Sequence, residues 1–301
     1  MLTPRLRSFL RAAAYLLISI TLLWLVWRWF DGAGAWARLK AANPAWLLLA
    51  LVLLTIQLVA SALRWRLTSN QLSMPLTTVT AVSQYYVSML CNLTLPGGMV
   101  GDAGRAWHHR TQAGLGASAA AVVLDRLAGQ LAMITTLMLG LAWQLRTTIA
   151  THTGWWLAIL AGVLALVMAV NYIRWPAWVK RLTHWMKLAW FAPGVWLQQL
   201  MLTLVILFCS LLAFYACAQA VGAELPAKSA LLVLPATLLV MVLPVSVAGW
   251  GLREAAAAVI WPIAGVASDI AVAASVAYGI VATVSALPGL WWLRPRLKTT
   301  A

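Results

Sequence analysis

Two arginines sit at matched points of one repeated pattern. The stretch Leu95 to Arg105, LPGGMVGDAGR, and the stretch Leu243 to Arg253, LPVSVAGWGLR, both read L-P-x4-G-x3-R, which aligns Pro96 with Pro244, Gly101 with Gly249 and Arg105 with Arg253. Pro and Gly interrupt a helix, and each Arg follows the interruption closely. A helix restarting there offers unpaired amides and a partial positive charge, and a guanidinium adds a two-pronged donor, so the pair could hold a phosphate. The same arginines could instead bond carbonyls freed at the opposite break, and residue type leaves both readings open. On the anion reading, Arg105 and Arg253 with Gly101 and Gly249 are the expected substrate-binding residues for a phosphate-bearing headgroup, and Asp102, Asp125, Arg126 and Glu254 are the expected charge network around them. Asp102 can also cap its own helix, which weighs against an anion at the first break.

Other chemistry finds little support. No Ser-His-Asp constellation, phosphate-cradling loop or metal motif is present, so neither a catalytic residue, a cofactor nor a metal is expected. His108 and His109 are adjacent, pointing about 100° apart on a helix rather than sharing a face as a zinc pair does, and are expected to face the interface. Cys91, Cys209 and Cys217 form no CxxC pair and read as small apolar packers.

The elements that must position the charges are membrane helices. The 301 residues are 63% hydrophobic and 9% charged, with apolar runs long enough to cross a bilayer core of about 30 Å. The net charge of +15, from 21 Lys and Arg against 6 acids, flanks those runs, which favours orientation by positive loops and attraction to anionic lipid over nucleic acid. Most of the 19 Trp fall near span ends as interfacial anchors.

In chain order, a first span runs from Ala12 to Phe30; three Arg before it resemble a signal peptide, but its length and Trp content predict an uncleaved helix. After a polar loop, Asn43 and Pro44 begin a second span reaching about Leu67, where Arg64 and Arg66 can snorkel to the cytoplasmic surface. From Pro75 the chain runs in to the first break and returns through Gly97 to Gly116, a segment with too many charges to face lipid, which predicts a re-entrant hairpin. Spans follow at about Ala117 to Leu145, with Asp125 and Arg126 roughly 13 Å deep at 1.5 Å per residue, and at Trp155 to Tyr172. Arg174 to Trp190 reads as a helix lying in the interface. Val195 to Val221 spans, Ser229 to Val266 forms the second hairpin, and Ile270 to Leu293 spans last. The fold expected is all-α and polytopic, a single membrane domain over 1–301 with about six full spans plus two re-entrant broken-helix hairpins. Basic residues divide twelve to five between segments assigned to the cytoplasm and the outside, which places both termini in the cytoplasm. Three crossings per half invert the halves, about 12–145 and 155–293, the arrangement of transporters whose site lies near the midplane.

LRWRL at 63–67, LPGGMVGDAGRAW at 95–107, VVLDRLAG at 122–129 and LPVSVAGWGLREAAA at 243–257 together resemble the lysylphosphatidylglycerol synthase transmembrane, flippase-like family, over most of the chain. The resemblance implies a membrane domain that in its best-known members flips aminoacylated phosphatidylglycerol and is fused to a soluble aminoacyl transferase. This chain stops at Ala301 without such a domain, so lipid aminoacylation is not implied. Stand-alone relatives are linked to moving other lipids or to glycolipid pathways. The function expected is therefore movement of an anionic phospholipid or lipid-linked molecule between leaflets of the cell membrane, without enzymatic chemistry. Its partners would be anionic lipids, with a second copy of the chain or a separate lipid-modifying enzyme as protein partner. Two alternatives stand beside it: a membrane transferase acting on a lipid or polyprenyl phosphate through Asp102, Asp125 or Glu254, and a non-catalytic subunit of a lipid pathway.

Overall fold

A computed structural model describes residues 4–96, 98–150, 177–242 and 246–293. Twelve α-helices and no strands are found among these residues: α1 Pro4–Trp29, α2 Gly32–Lys40, α3 Pro44–Gln71, α4 Thr78–Thr94, α5 Val100–His108, α6 Arg110–Ala150, α7 Ala177–Phe191, α8 Trp196–Ala220, α9 Ala227–Leu239, α10 Leu252–Ile260, α11 Ser268–Ala286 and α12 Gly289–Leu293. The protein is an all-α polytopic membrane protein. α3, α6 as far as Leu145, α8 and α11 are each long and apolar enough to cross a membrane. The span expected at Trp155 to Tyr172 lies outside the described residues.

α3 begins where expected: Asn43 Oδ1 accepts the Ala45 amide at 2.9 Å and Pro44 fills the first turn. It continues past Leu67 to Gln71, which carries Arg64 away from the helix end. α3 and α8 make the most extensive helix pairing, along faces rich in small residues such as Ala50, Ser61, Ala62, Ala213, Ala216 and Ala220. In lipid, where apolar side chains gain little by leaving the solvent, such close backbone approach is what holds helices together.

Four expectations change in the structure. The polar loop after the first span is the helix α2, set at 93° to α1. Asp31 turns the corner in the left-handed region (φ 48°) and caps α2 through the Gly34 amide at 3.1 Å, and α2 is then tied to α11 by Arg38 Nε donating to Asp269 at 2.6 Å. The last span divides at Leu287-Pro288, where Leu287 keeps helical backbone but Pro288 has no amide to continue the hydrogen-bond ladder, and α12 packs against α4. The charged return arm is the short α5 followed by the start of α6, which kinks at Gly114. The interfacial helix, described from Ala177 as α7, keeps Lys180, Arg181, His184 and Lys187 exposed but lays Leu182, Trp185, Met186 and Ala189 on Leu72, Met74, Ala120 and Leu124, so protein covers its apolar face.

Each hairpin packs against the long helix of the other part of the chain. α9 lies on α6, where Gly140 leaves no room for a Cβ beside the Leu231 carbonyl, and α4 lies on α11 and α12, where Gly289 meets the Tyr86 carbonyl in the same way. Within the first hairpin, Gly101 of α5 is pressed onto α4, and a Cβ there would overlap the Ser88 carbonyl.

Gly101 and Gly104 share α5 but not this constraint, since a Cβ at Gly104 meets nothing within 4 Å. Gly101→Ala is expected to destabilise the protein by at least the 1–3 kcal/mol usual for overpacking. Gly104→Ala should be neutral or stabilising by up to about 1 kcal/mol through helix propensity. Unfolding midpoints in detergent check the pair, and equal effects at the two positions would count against the packing of α5 on α4.

Candidate functional site

The two breaks meet. A Cβ built on Gly98, at the first, would lie 3.8 Å from the Ala248 amide nitrogen at the second, and four of the described residues at the breaks turn through positive φ: Gly98 at 61°, Ala248 at 53°, Gly249 at 80° and Gly251 at 84°. Gly249 is required for its dihedral and for the Met241 side chain against it, whereas Gly101, equivalent in the repeat, is required for its contact with Ser88. Of the second motif, Leu243, Pro244 and Val245 lie outside the described residues. The second tip is pinned to α1 by the Val247 amide donating to Ser19 Oγ at 2.7 Å.

Beside the meeting point is a cavity of about 260 Å³. Its walls come from both tips (Asn92, Gly98, Met99, Ser246, Ala248, Gly249), from α3 (Gln57, Ser61, Arg64), from α6 (Asp125, Arg126, Gly129, Gln130) and from α8 (Thr203, Ile206, Ser210). That volume falls just under the range of small-molecule sites, so it suits a headgroup and leaves long acyl chains outside.

Helix termini are already engaged around it. Asn92 Oδ1, reaching across from α4, accepts the Gly101 amide at 2.8 Å and lies 3.4 Å from that of Asp102, and so caps α5 in place of Met99. At α10, Glu254 Oε2 accepts the Gly251 amide at 2.7 Å. Part of the amide charge that could attract an anion is therefore spoken for at both helices.

The arginines are buried in ion pairs. Arg253, 2% exposed, donates through Nη2 to Glu254 Oε1 at 2.5 Å and through Nε to Ser275 Oγ at 2.9 Å, between the rings of Trp250 and Tyr278. Arg105, 4% exposed, donates through Nη2 to Asp102 Oδ1 at 2.5 Å, with its guanidinium 4.6 Å from the Trp65 ring and 4.4 Å from the Tyr85 ring. Neither arginine lines the cavity, and of the two equivalent glycines Gly249 does and Gly101 does not.

The cavity's cations are Arg126 and Arg64. Arg126 Nε and Nη2 both reach Asp102 Oδ2 at 2.7 Å, so this one carboxylate bridges Arg105 and Arg126, while Ser88 Oγ adds a third contact at 3.1 Å. Arg64 does not snorkel. Its side chain crosses to α6, where Nε donates to Asp125 Oδ1 at 3.0 Å, Nη2 to the Asp125 carbonyl at 2.7 Å and Nη1 to Thr203 Oγ1 at 3.3 Å; Tyr85 completes Asp125 through Oδ2 at 3.3 Å. Three guanidiniums thus meet two carboxylates in this cluster, an excess of one positive charge, and Arg126 is the member whose side chain stays 37% exposed.

Sequence reasoning missed Arg64, Asn92, Tyr85 and Ser246. A basic residue near a span end looks like a snorkelling one, and only the continuation of α3 past Leu67 removes that option. Asn92, one of several polar residues spread along α4, gave no sign of its reach to α5. His109 is also placed differently: it is buried, not interface-facing, with Nε2 2.7 Å from Gln84 Oε1 and its ring on Trp65, while His108 is exposed. Trp65 and Trp261 are core residues rather than interfacial anchors.

Residues 12–289 match the family described as the lysylphosphatidylglycerol synthase TM region. No curated protein matches the sequence.

Removing one partner of the Arg64–Asp125 pair leaves the other charge buried and unpaired. Arg64→Met should destabilise by about 3–5 kcal/mol, and Arg64→Met combined with Asp125→Leu should recover most of that loss. A double-mutant cycle on unfolding in mixed micelles measures the recovery, and purely additive effects would show that the pair is not coupled.

Proposed function

This chain belongs to the lysylphosphatidylglycerol synthase transmembrane family, and on that premise we propose that it moves an anionic lipid, either a phospholipid or a lipid-linked molecule, between the leaflets of the cell membrane. The observation that carries the reading is the unbalanced cluster at the cavity, where Arg126, its side chain 37% exposed, lines the wall beside a carboxylate it must share with Arg105. An uncompensated cation inside a membrane protein is costly, and an arriving phosphate offsets it. Arg64 stands behind Arg126 as a fixed positive charge, while Arg105 and Arg253 hold the hairpins in place from outside the cavity.

The packing of the chain supports a transporter-like division. α3 pairs with α8, α6 receives one hairpin, and α11 with α12 receives the other, as an inverted repeat over about 12–145 and 155–293 requires. In this reading both hairpins are re-entrant and their tips meet at the cavity, and the halves rock about it to expose it to each side in turn.

Transport is favoured over transfer chemistry by the state of the carboxylates. A transferase acting on a lipid phosphate needs a free base, but Asp102, Asp125 and Glu254 each have both oxygens engaged, by arginine on one and by arginine, tyrosine or backbone amide on the other.

Arg126→Gln should reduce movement of an anionic phospholipid in reconstituted vesicles at least tenfold, and Arg126→Lys, which keeps the charge but not the fork, should restore part of it. Asp102 remains paired with Arg105 in both variants, so the fold should persist, as size-exclusion profiles and melting points will show. A folded Arg126→Gln variant that moves the lipid at the parental rate would sink the reading.

A further inference from the structure

Resting on that reading, we infer that the cargo is a phosphodiester with one net negative charge and an uncharged, hydroxyl-bearing headgroup, and that headgroups carrying an ammonium are discriminated against. The argument begins with what an ammonium would need. It requires a carboxylate or a ring face free to receive it, and the chain has only six acidic residues. Asp125 and Asp102, the two carboxylates of the cluster at the cavity, have every oxygen held by an arginine, tyrosine or serine. Glu254 is sealed against Arg253, Asp31 caps α2, Asp269 holds Arg38, and Glu224 is exposed and not part of the cavity wall. An amine brought in would meet Arg126 and Arg64 instead. Like charges brought together in such a site repel strongly.

The charge excess of one matches one phosphodiester. A second ionised oxygen would exceed it, and a headgroup whose ammonium cancels its phosphate would leave the guanidinium uncompensated.

The remainder of the wall recognises hydroxyl groups. Asn92 and Ser246 come from opposite tips and are 4% and 2% exposed, and both line the cavity. Asn92 Nδ2 and Ser246 Oγ have no hydrogen-bond partner among the described residues, although Asn92 spends its oxygen capping α5. Unsatisfied buried polar groups of this kind are costly unless a ligand or water meets them. Gln57, Gln130 and Ser210 add further neutral side chains on the same wall. A site that hydrogen-bonds a substrate hydroxyl rejects an analogue lacking it far more sharply than an apolar pocket does, because its own donors are then stranded.

The test places the purified chain in phosphatidylcholine vesicles with trace tail-labelled lipids that differ only in headgroup. These are phosphatidylglycerol, phosphatidylethanolamine, lysyl-phosphatidylglycerol and phosphatidate; transbilayer movement and lipid retained in native mass spectra are both read. Phosphatidylglycerol should move and be retained at least tenfold better than the two amine-bearing lipids. Equal or better movement of either amine-bearing lipid overturns the assignment while leaving transport intact. Selective retention of phosphatidylglycerol without movement upholds the headgroup assignment and removes transport; neither retention nor movement of any lipid removes both. Soluble glycerophosphoglycerol should compete only weakly. Binding as tight as that of the lipid would make the ligand a water-soluble phosphodiester, so that the headgroup class survives and the membrane cargo does not. Gln130→Glu puts a carboxylate on the wall and should raise the phosphatidylethanolamine to phosphatidylglycerol ratio severalfold, and an unchanged ratio in the folded variant counts against the proposal. Ser246→Ala should narrow the preference for phosphatidylglycerol over phosphatidate, and a preference left intact in that folded variant also counts against it.

Discussion

A guanidinium cannot be left alone in the interior of a membrane protein. It must be met by a carboxylate, a carbonyl or the face of a ring, and it must be met within reach of its own helix. Arg64, Arg105 and Arg253 obey this rule by different means, and the rule draws the helices together. Arg64 joins α3 to α6 and touches α8 through Thr203, Arg105 joins α5 to the aromatic faces of α3 and α4, and Arg253 joins α10 to Ser275 on α11. Glycine governs the remaining spacing, since close backbone contact at Gly101, Gly140 and Gly289 sets how near each hairpin lies to its neighbour. The broken helices are therefore held by contacts with several neighbouring helices, and under the re-entrant reading such cover by protein is the condition for tolerating non-helical backbone within a membrane.

Much of this was legible in the residues. Apolar run length located α3, α8 and the core of α11, the Asn43-Pro44 pair marked a helix start to the residue, and charge within an apolar context singled out Asp102, Asp125, Arg126 and Glu254 before any geometry was known. What stayed hidden depended on the direction of a side chain or on one dihedral. The corner at Asp31 is a left-handed residue that composition does not announce, so a helix across the end of the bundle looked like a loop. Arg64 and Arg66 are two apart on one helix and take opposite roles, one reaching Asp125 and the other the Leu76 carbonyl at 2.8 Å, and hydropathy cannot separate them.

The repeat is an instructive case of a pattern that is real in spacing and different in use. Gly101 and Gly249 align, yet one serves a helix contact and the other a positive φ. Arg105 and Arg253 align, yet Arg105 shares its carboxylate with another arginine while Arg253 has Glu254 and Ser275 and, among the described residues, no competing cation. Equivalent positions share a spacing and differ in electrostatics: it is Arg126 of α6, competing for the carboxylate at the first break, that leaves the cluster at the cavity with an unbalanced charge.

That imbalance has an electrical consequence. The cluster of Arg64, Arg105 and Arg126 with Asp102 and Asp125 carries one positive charge when empty and none when a monoanion fills it. A potential of 100 mV exerts about 2.3 kcal/mol on a unit charge carried fully across the membrane, and nothing on a neutral complex. Under the transport reading, voltage therefore acts on the return of the vacant protein rather than on the loaded step. A cell's resting potential would set which leaflet the empty cavity faces, and so the direction in which lipid accumulates, without any coupled ion.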